Sequence, residues 1–491
     1  MNIFDVIEYG NGFDGPATPF KRFLLKTYLL LYPAEINARY AGGKTPLMWA
    51  TQYGDTKMME LFLERGANVN EKDNKGQTAL MLRAEYKDTK AMELLLGQKD
   101  IKINEQNNNG ATALIIATKY AHTQTMELLL DSGADVNKKD NQGQTALMYA
   151  TNTLKYVRTV AKLATLLVNR DADVNEKDNK GRTALMDAAL YGDTKTIEIL
   201  LSKSADINTK DKDSNTALIK ATRYGNIETV KLLLDNNALI NEKDKEGNTA
   251  LMWATKNCIN RLSKHQHIDI KKIAFLLDKG AEVSLDDGEK ILMMASWKND
   301  TKTTTLLLGK GVNVNVRDKD GYTPLMRAAE CKDIETMKLL LDSGADVNAQ
   351  NNAGETALLY AASRGATASV SLLLDSGADV NAKDKTFGNN ALMRAAGDDR
   401  HIETLDLLLY RGADINAKNI YGHTALISAV NSGEKETVAF LLSKGADADA
   451  KDSQGKTALD HSNRWGGRFF GVGITALITN HIKKTTLPDH V

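Results

Sequence analysis

Apolar residues enter this chain in two short bursts that recur from one end to the other. One is the stretch Asp140–Ala150, DNQGQTALMYA, where a polar run gives way to Ala146, Leu147 and Met148. The other is leucine-rich and stops at a glycine, as in MELLLDSGADVN (Met126–Asn137) and MKLLLDSGADVN (Met337–Asn348). Both read as short helices. Asp and Asn favour tight turns, and Gly143 can take φ > 0 at little steric cost. Thr145 suits a helix N-cap, and Ala, Leu and Met are strong helix formers. Where Pro46 and Pro324 follow the Thr, they occupy the first helical position, which tolerates proline best. The first burst therefore predicts turn, cap and helix start. The second predicts a helix closed by a left-handed residue: Gly66, Gly133, Gly344, Gly377 or Gly445, with Asn237, Ser204 and Asp171 as substitutes.

The turn residue recurs at Gly43, Gly76, Gly110, Gly143, Gly181, Ser214, Gly247, Gly288, Gly321, Gly354, Gly388, Gly422 and Gly455. Successive spacings are 33, 34, 33, 38, 33, 33, 41, 33, 33, 34, 34 and 33 residues. Such a period marks a repeat array in which each unit contacts mainly its neighbours. The helices are shorter than the roughly 12–15 residues an isolated helix needs, so stacking must stabilise them. The interval after Gly143 has five extra residues, which predicts longer helices through Thr151–Lys162, and that after Gly247 has eight, around Asn257–Ile270. The next copy, DDGEKILMMASW, carries Lys290 in the cap position, so the stack is expected to bend or loosen there.

D-x-x-G-x-T-[AP]-L-x-x-A, a leucine-rich helix and G-A-D-V-N, at a period of 33, resemble the ankyrin repeat from about Gly42 to the C-terminus. The resemblance implies an all-α fold: an ankyrin-repeat α-solenoid of antiparallel helix pairs with β-hairpin fingers. It also implies protein binding through the concave helix face and the fingertips. On this reading residues 1–41 are an N-terminal extension and capping half-repeat, with an outer helix at Phe20–Tyr32. Repeats fill 42–453 (42–72, 75–105, 109–139, 142–177, 180–210, 213–243, 246–284, 287–317, 320–350, 353–383, 387–418 and 421–451). Residues 454–491 form a C-terminal capping repeat and tail, closed by Ile474–Lys484. The family commonly has His after the Leu of T-P-L-H. Here that slot is Met48, Met81, Met148, Met186, Met252, Met293, Met326 and Met393, expected as apolar packing. Resemblance to eukaryotic ankyrins further implies that V-N asparagines such as Asn70, Asn137 and Asn348 are hydroxylation targets.

Charge narrows the function. Formal net charge is +0 and the pI about 7.1, so no basic face is expected for nucleic acid or an anionic membrane. Two cysteines, Cys258 and Cys331, make no disulfide framework and fit a reducing compartment. The start MNIFDVIEYGNG has Asp5 and Glu8 where a secretory signal needs a basic, then apolar run, and Phe23–Tyr32 is too short to span a bilayer. A cytoplasmic monomer without membrane insertion is the expectation. Gly42–Thr45, GGKT, lacks the first glycine of a phosphate loop, with Ala38 in its place. Cys258, His265 and His267 lack a fourth metal ligand, and no catalytic set can be nominated. No cofactor, metal or enzymatic activity is expected. Acidic residues such as Glu71, Asp73, Glu242 and Asp244 read as solubilising charges.

Aligning the copies against one another isolates what varies. The slot two after the core Leu holds Trp49, Leu82, Ile116, Tyr149, Asp187, Lys220, Trp253, Met294, Arg327, Tyr360, Arg394 and Ser428. Such variety predicts exposure. One turn later stand Tyr53, Tyr86, Tyr120, Tyr191 and Tyr224, on the same helix face. Together Trp49, Tyr53, Tyr86, Tyr120, Tyr149, Tyr191, Tyr224, Trp253, Arg327, Tyr360 and Arg394 predict a protein-binding ribbon on the concave side, of residue types enriched at binding hot spots. The alternative is that these aromatics pack on the next copy. Fingertip residues Asn74, Lys75, Gln77, Gln142, Gln144, Lys180 and Arg182 are further candidates. A non-enzymatic scaffold for one or more proteins is the reading favoured. The other reading is an effector or toxin-like protein whose activity lies in the insertions or in the termini, such as Met1–Thr18.

Overall fold

The repeated turn is built the same way in nearly every copy. In the computed structural model, which describes residues 19–152, 159–263, 270–463 and 471–486, Thr145 is extended and its Oγ1 accepts the Met148 N–H. This N-cap satisfies an orphan donor of the first helical turn and contributes about 1 kcal/mol. Thr45, Thr78, Thr112, Thr183, Thr216, Thr249, Thr323, Thr356 and Thr424 repeat the bond, and Asn390 makes it with its amide oxygen. Ahead of the cap, Gly143 has φ 77° and donates to the Asp140 carbonyl. A Cβ on Gly143 would lie 2.6 Å from Asn179 Oδ1 in the next turn, so glycine is needed for space as well as conformation. Ser214 adopts the same hand at φ 59°.

Gly288 is the exception. It lies inside the helix Leu285–Trp297, which the Ser284 hydroxyl caps by accepting the Asp287 N–H. The turn expected there is replaced by helix that begins before the repeat register, because the cap lies upstream of Lys290.

The fingers are turns rather than β-hairpins, which corrects the expectation. Asn74, Asn108, Asn141, Asn179, Lys212 and Lys245 each donate one backbone N–H to a carbonyl of the preceding turn, at 2.8–3.0 Å. One such bond per junction is too little for a ladder, and no strand occurs among the described residues. Side chains add to it: Asn141 Nδ2 donates to the Asn108 carbonyl and Asn179 Nδ2 to the Asn141 carbonyl, both at 2.9 Å.

The chain forms two compact units, Met1–Lys272 and Ile273–Val491. The first holds helix Pro19–Leu31 and helix pairs such as Pro46–Tyr53 with Thr56–Glu64, and Ala184–Tyr191 with Thr194–Ser202. The second holds pairs such as Pro324–Glu330 with Ile334–Asp342, and Ala425–Ser432 with Lys435–Ser443. It ends in helix Gly471–Thr486, which packs on the two helices before it and buries Ile474 and Ile478. Within each unit first helices pack on first helices and second on second. Their shared faces bury Met58, Phe62, Leu95, Leu129, Leu340 and Leu441 completely. Met48, Met81, Met148, Met186, Met326 and Met393 are core, while Met252 and Met293 are half-buried.

The V-N asparagines join neighbouring copies. Asn70 accepts the Lys102 N–H at 2.9 Å and donates to the Asp100 carbonyl at 2.7 Å. Asn348 makes the same pair with the Asp379 N–H and the Gly377 carbonyl. Both ends of each amide are engaged. Positive φ at Asp171, Ser204 and Asn237, 62°, 62° and 67°, places them in the helix-closing conformation. The first stretched interval does not lengthen its first helix, which ends at Thr151, and the second helix begins at Val160. The second interval does, giving a 14-residue helix Ala250–Ser263. His265, His267, Met1–Thr18 and the middle of both insertions (153–158 and 264–269) lie outside the described residues.

Candidate protein-binding face

In most copies the turn opens on an acidic residue that faces the variable slot. Asp140 Oδ1 accepts the N–H groups of Gln142 and Gln144, which fixes the turn. That leaves Oδ2 facing the slot nine residues on, where the Tyr149 hydroxyl donates to it at 2.8 Å. Trp253 Nε1 donates to Asp244 Oδ2 at 2.8 Å, Lys220 Nζ pairs with Asp211 at 2.8 Å, and Arg327 pairs with Asp318 at 2.8 Å. Asn351 substitutes an amide, donating to the Tyr360 hydroxyl at 3.1 Å. Arg394 pairs with Asp384 at 2.9 Å, and His461 Nε2 lies 2.8 Å from Asp452 Oδ2. A charge-assisted bond inside a half-buried site is stronger than its exposed counterpart. The turn acids are therefore structural, and Asp73 and Asp244, read from sequence as solubilising, each hold a turn together.

This arrangement corrects the expectation that the slot is exposed. Trp49, Leu82, Ile116, Asp187 and Met294 are buried, and Tyr149, Trp253, Arg327, Tyr360 and Arg394 are half-buried. The polar members Tyr149, Lys220, Trp253, Arg327 and Arg394 can occupy the slot because the turn acid of their copy supplies a partner, while Leu82, Ile116 and Met294 are simply apolar core. Trp49 also packs on Tyr53, ring centroids 4.9 Å apart. Arg223 lies 3.8 Å over the Trp253 ring, at a polar pocket of about 140 Å³ lined by Asp213, Asn215, Arg223, Asp244, Lys245, Glu246 and Trp253. In the second unit the Tyr360 hydroxyl donates to Glu355 and lies 2.8 Å from that of Tyr322, and Arg394 reaches Glu355 at 2.8 Å. Burial, then Glu355 and Tyr322, push the Tyr360 hydroxyl far above its ordinary pKa.

Asp187 faces a turn acid instead of donating to it. Arg182 is committed to Asp178 through Nε at 2.8 Å and approaches Asp187 only at 4.0 Å. Burial accordingly pushes the Asp187 carboxyl up to about 6, against the opposing pull of Arg182 and Lys220.

The tyrosine register lies nearer the solvent than the slot. Tyr86, Tyr120, Tyr191 and Tyr224 remain 40%, 39%, 39% and 59% exposed, and Tyr53 is half-buried. Each stands at or just beyond the end of a first helix of the first unit. Arg83 lies 5.3 Å from the Tyr86 ring and Arg223 4.9 Å from that of Tyr224, while the Tyr191 hydroxyl donates to Asn152 at 2.8 Å. The described residues thus offer a row of aromatic faces on a hydrogen-bonded floor. Cys258 is buried, and the Cys331 thiol donates to the Trp297 carbonyl.

The family model for ankyrin repeats, three copies per model, matches residues 22–107, 84–178, 156–211, 196–287, 264–351, 292–384, 337–419 and 392–469 in overlapping series. The chain belongs to the ankyrin-repeat family. No curated protein matches it. Ankyrin repeats are generally protein-interaction modules and typically non-enzymatic. In this ankyrin-repeat chain no helix among the described residues is long and apolar enough to cross a membrane.

Proposed function

We propose that this chain is a non-enzymatic scaffold that binds one or more proteins across the face formed by its first helices and fingertips. The observation that carries the reading is the row Tyr86, Tyr120, Tyr191 and Tyr224, which stays substantially exposed at one register in four copies of the first unit. Tyrosine supplies large, rigid contact area with a polar tip and is enriched at binding hot spots. Tyr53 extends the row. Trp49, Tyr149, Trp253, Arg327, Tyr360 and Arg394 form the floor that sets the positions of contact residues in each copy. The fingertips, among them Lys75, Gln142 and Lys180, form the polar rim. Affinity purification from native cells with the wild type and a Tyr86, Tyr120, Tyr191 and Tyr224→Ala variant tests the reading. Proteins recovered by the wild type and lost from the folded variant support it; equal recovery from both removes the tyrosine row as the binding face.

A further inference from the structure

One turn acid meets two imidazoles. Asp452 opens the last turn, and its Oδ1 accepts the N–H groups of Gln454 and Lys456 at 2.8 and 2.9 Å. Its Oδ2 takes His461 Nε2 at 2.8 Å, from the variable slot of the same copy. His423, just after the turn glycine of the preceding copy, brings its Nε2 to 3.7 Å from the same oxygen. The three donor atoms lie within 4.8 Å of one another, and the two rings stand at 81° with centroids 5.3 Å apart. The Asp452 and His461 side chains are 2% and 7% exposed, whereas His423 is 26% exposed, so the cluster is sheltered but open on one side.

A tether needs only one donor to the outer oxygen, as Tyr149 and Arg327 show. The second imidazole converging on the same carboxylate oxygen has no counterpart at those turns. Two imidazole nitrogens and a carboxylate are a ligand set suited to borderline divalent ions such as Zn²⁺. Ligands bonded to such an ion at about 2.0–2.2 Å in a tetrahedron lie roughly 3.3 Å apart. The separations of 2.8 and 3.7 Å from Asp452 Oδ2 bracket that value, and the two imidazole nitrogens, within 4.8 Å of each other, would draw together on the ion. Backbone donors to Asp452 Oδ1 already hold the carboxylate in orientation, the usual task of an outer shell. We propose that His423, Asp452 and His461 form a binding site for a divalent transition-metal ion, Zn²⁺ in the first instance. Three protein ligands leave one position for water or for a side chain of a bound protein. The ion would join the last copy to the one before it, independently of the tyrosine row in the first unit.

Titration of the metal-free full-length chain with Zn²⁺ by calorimetry, and with Co²⁺ followed by its visible ligand-field absorption, tests the site. His423→Ala removes one ligand while leaving the Asp452–His461 bond that the last turn uses, and circular dichroism verifies its fold. His461→Gln keeps a donor to Asp452 and supplies a second variant. One ion per chain is expected, with a tetrahedral-type Co²⁺ spectrum. Affinity should fall in His423→Ala by at least the 10–100-fold that loss of an outer-shell partner typically produces. Absence of stoichiometric binding by the wild type, or equal binding by the wild type and both folded variants, would overturn the proposal.

Discussion

The two units use one scaffold for different surfaces. In the first, Tyr86, Tyr120, Tyr191 and Tyr224 stand exposed one turn beyond the variable slot. In the second, the same register holds Cys331, Arg364, Asp398 and Ser432. Tyr149, Lys220 and Trp253 of the first unit each reach the turn acid of their own copy. Tyr360 and Arg394 of the second also reach a side chain of the copy before, Tyr322 and Glu355. Arg327 and Arg364 share Glu330, each at 3.4 Å. The difference teaches that the repeat fixes where a side chain can sit, while its neighbours decide whether it faces solvent or cross-links copies. At this one register the first unit keeps tyrosine faces, while in the second the slot residues Tyr360 and Arg394 also link copies.

Breaking the floor should separate the units by magnitude. The largest effect is expected from Trp49→Ala: this side chain is 6% exposed, and truncating a buried large aromatic typically costs about 3–5 kcal/mol. Asp384→Ala comes next. It leaves the Arg394 guanidinium with Glu355 as its remaining acid and two turn N–H groups without their acceptor beside a fully buried carboxylate position, a loss of about 2–4 kcal/mol. Asp140→Ala, whose slot partner is the neutral Tyr149 hydroxyl, should lose only about 1–2 kcal/mol. Urea-unfolding midpoints of the three variants check the order. Equal losses at Asp384 and Asp140 would mean that charge in the slot adds nothing.

Asp187 sharpens the same point with opposite sign. Its folded-state pKa of about 6 lies above the ordinary 3.8, so the folded chain holds this proton to higher pH than the unfolded chain. Stability from this group therefore falls as pH rises between these two values and stays reduced above about 6. Asp187→Asn removes the buried charge and should stabilise the first unit by about 1–3 kcal/mol at neutral pH. The advantage should vanish near pH 4, in roughly the range where the wild-type carboxyl regains its proton. A gap between variant and wild type that does not change with pH would exclude the buried carboxylate as its cause.

Much of the fold could be read from the chain because its signals are local. A capping Thr, a left-handed Gly and a leucine stripe each act within one turn of helix, so Thr145, Gly143 and even the awkward Asp171 and Ser204 take their expected conformations. The turn at Gly288 could not be read that way, because an upstream Ser284 cap overrides the register. The fingers also differ from the expected hairpins: a single backbone bond per junction carries no strand pattern. Of the two candidate registers, sequence variety matched solvent exposure only at the tyrosines. Variety in the first does not mean exposure: Trp49, Leu82, Ile116, Asp187 and Met294 are all buried. What the reading lacked was the partner nine residues upstream. Lys220 below Asp211, Trp253 below Asp244 and Arg327 below Asp318 are pairs within the chain itself that could have disclosed it.

The smallest expected effect on stability is also the one most informative about function. Tyr86, Tyr120, Tyr191 and Tyr224 keep 39–59% of their surface in water, so each Tyr→Ala change should alter stability by only about 0.5–1 kcal/mol. Tyr191 should sit at the upper end, since its hydroxyl bonds Asn152, and Tyr224, the most exposed, at the lower. Floor variants lose binding together with folding, so they cannot tell a contact residue from a support. The tyrosine variants can, because a hot-spot side chain contributes about 2 kcal/mol or more to a complex while an exposed one contributes little to the free protein. Binding lost at unchanged thermal midpoint would mark the row as contact surface. Binding and stability falling in proportion would place these tyrosines with Trp49 and Tyr149 as part of the floor.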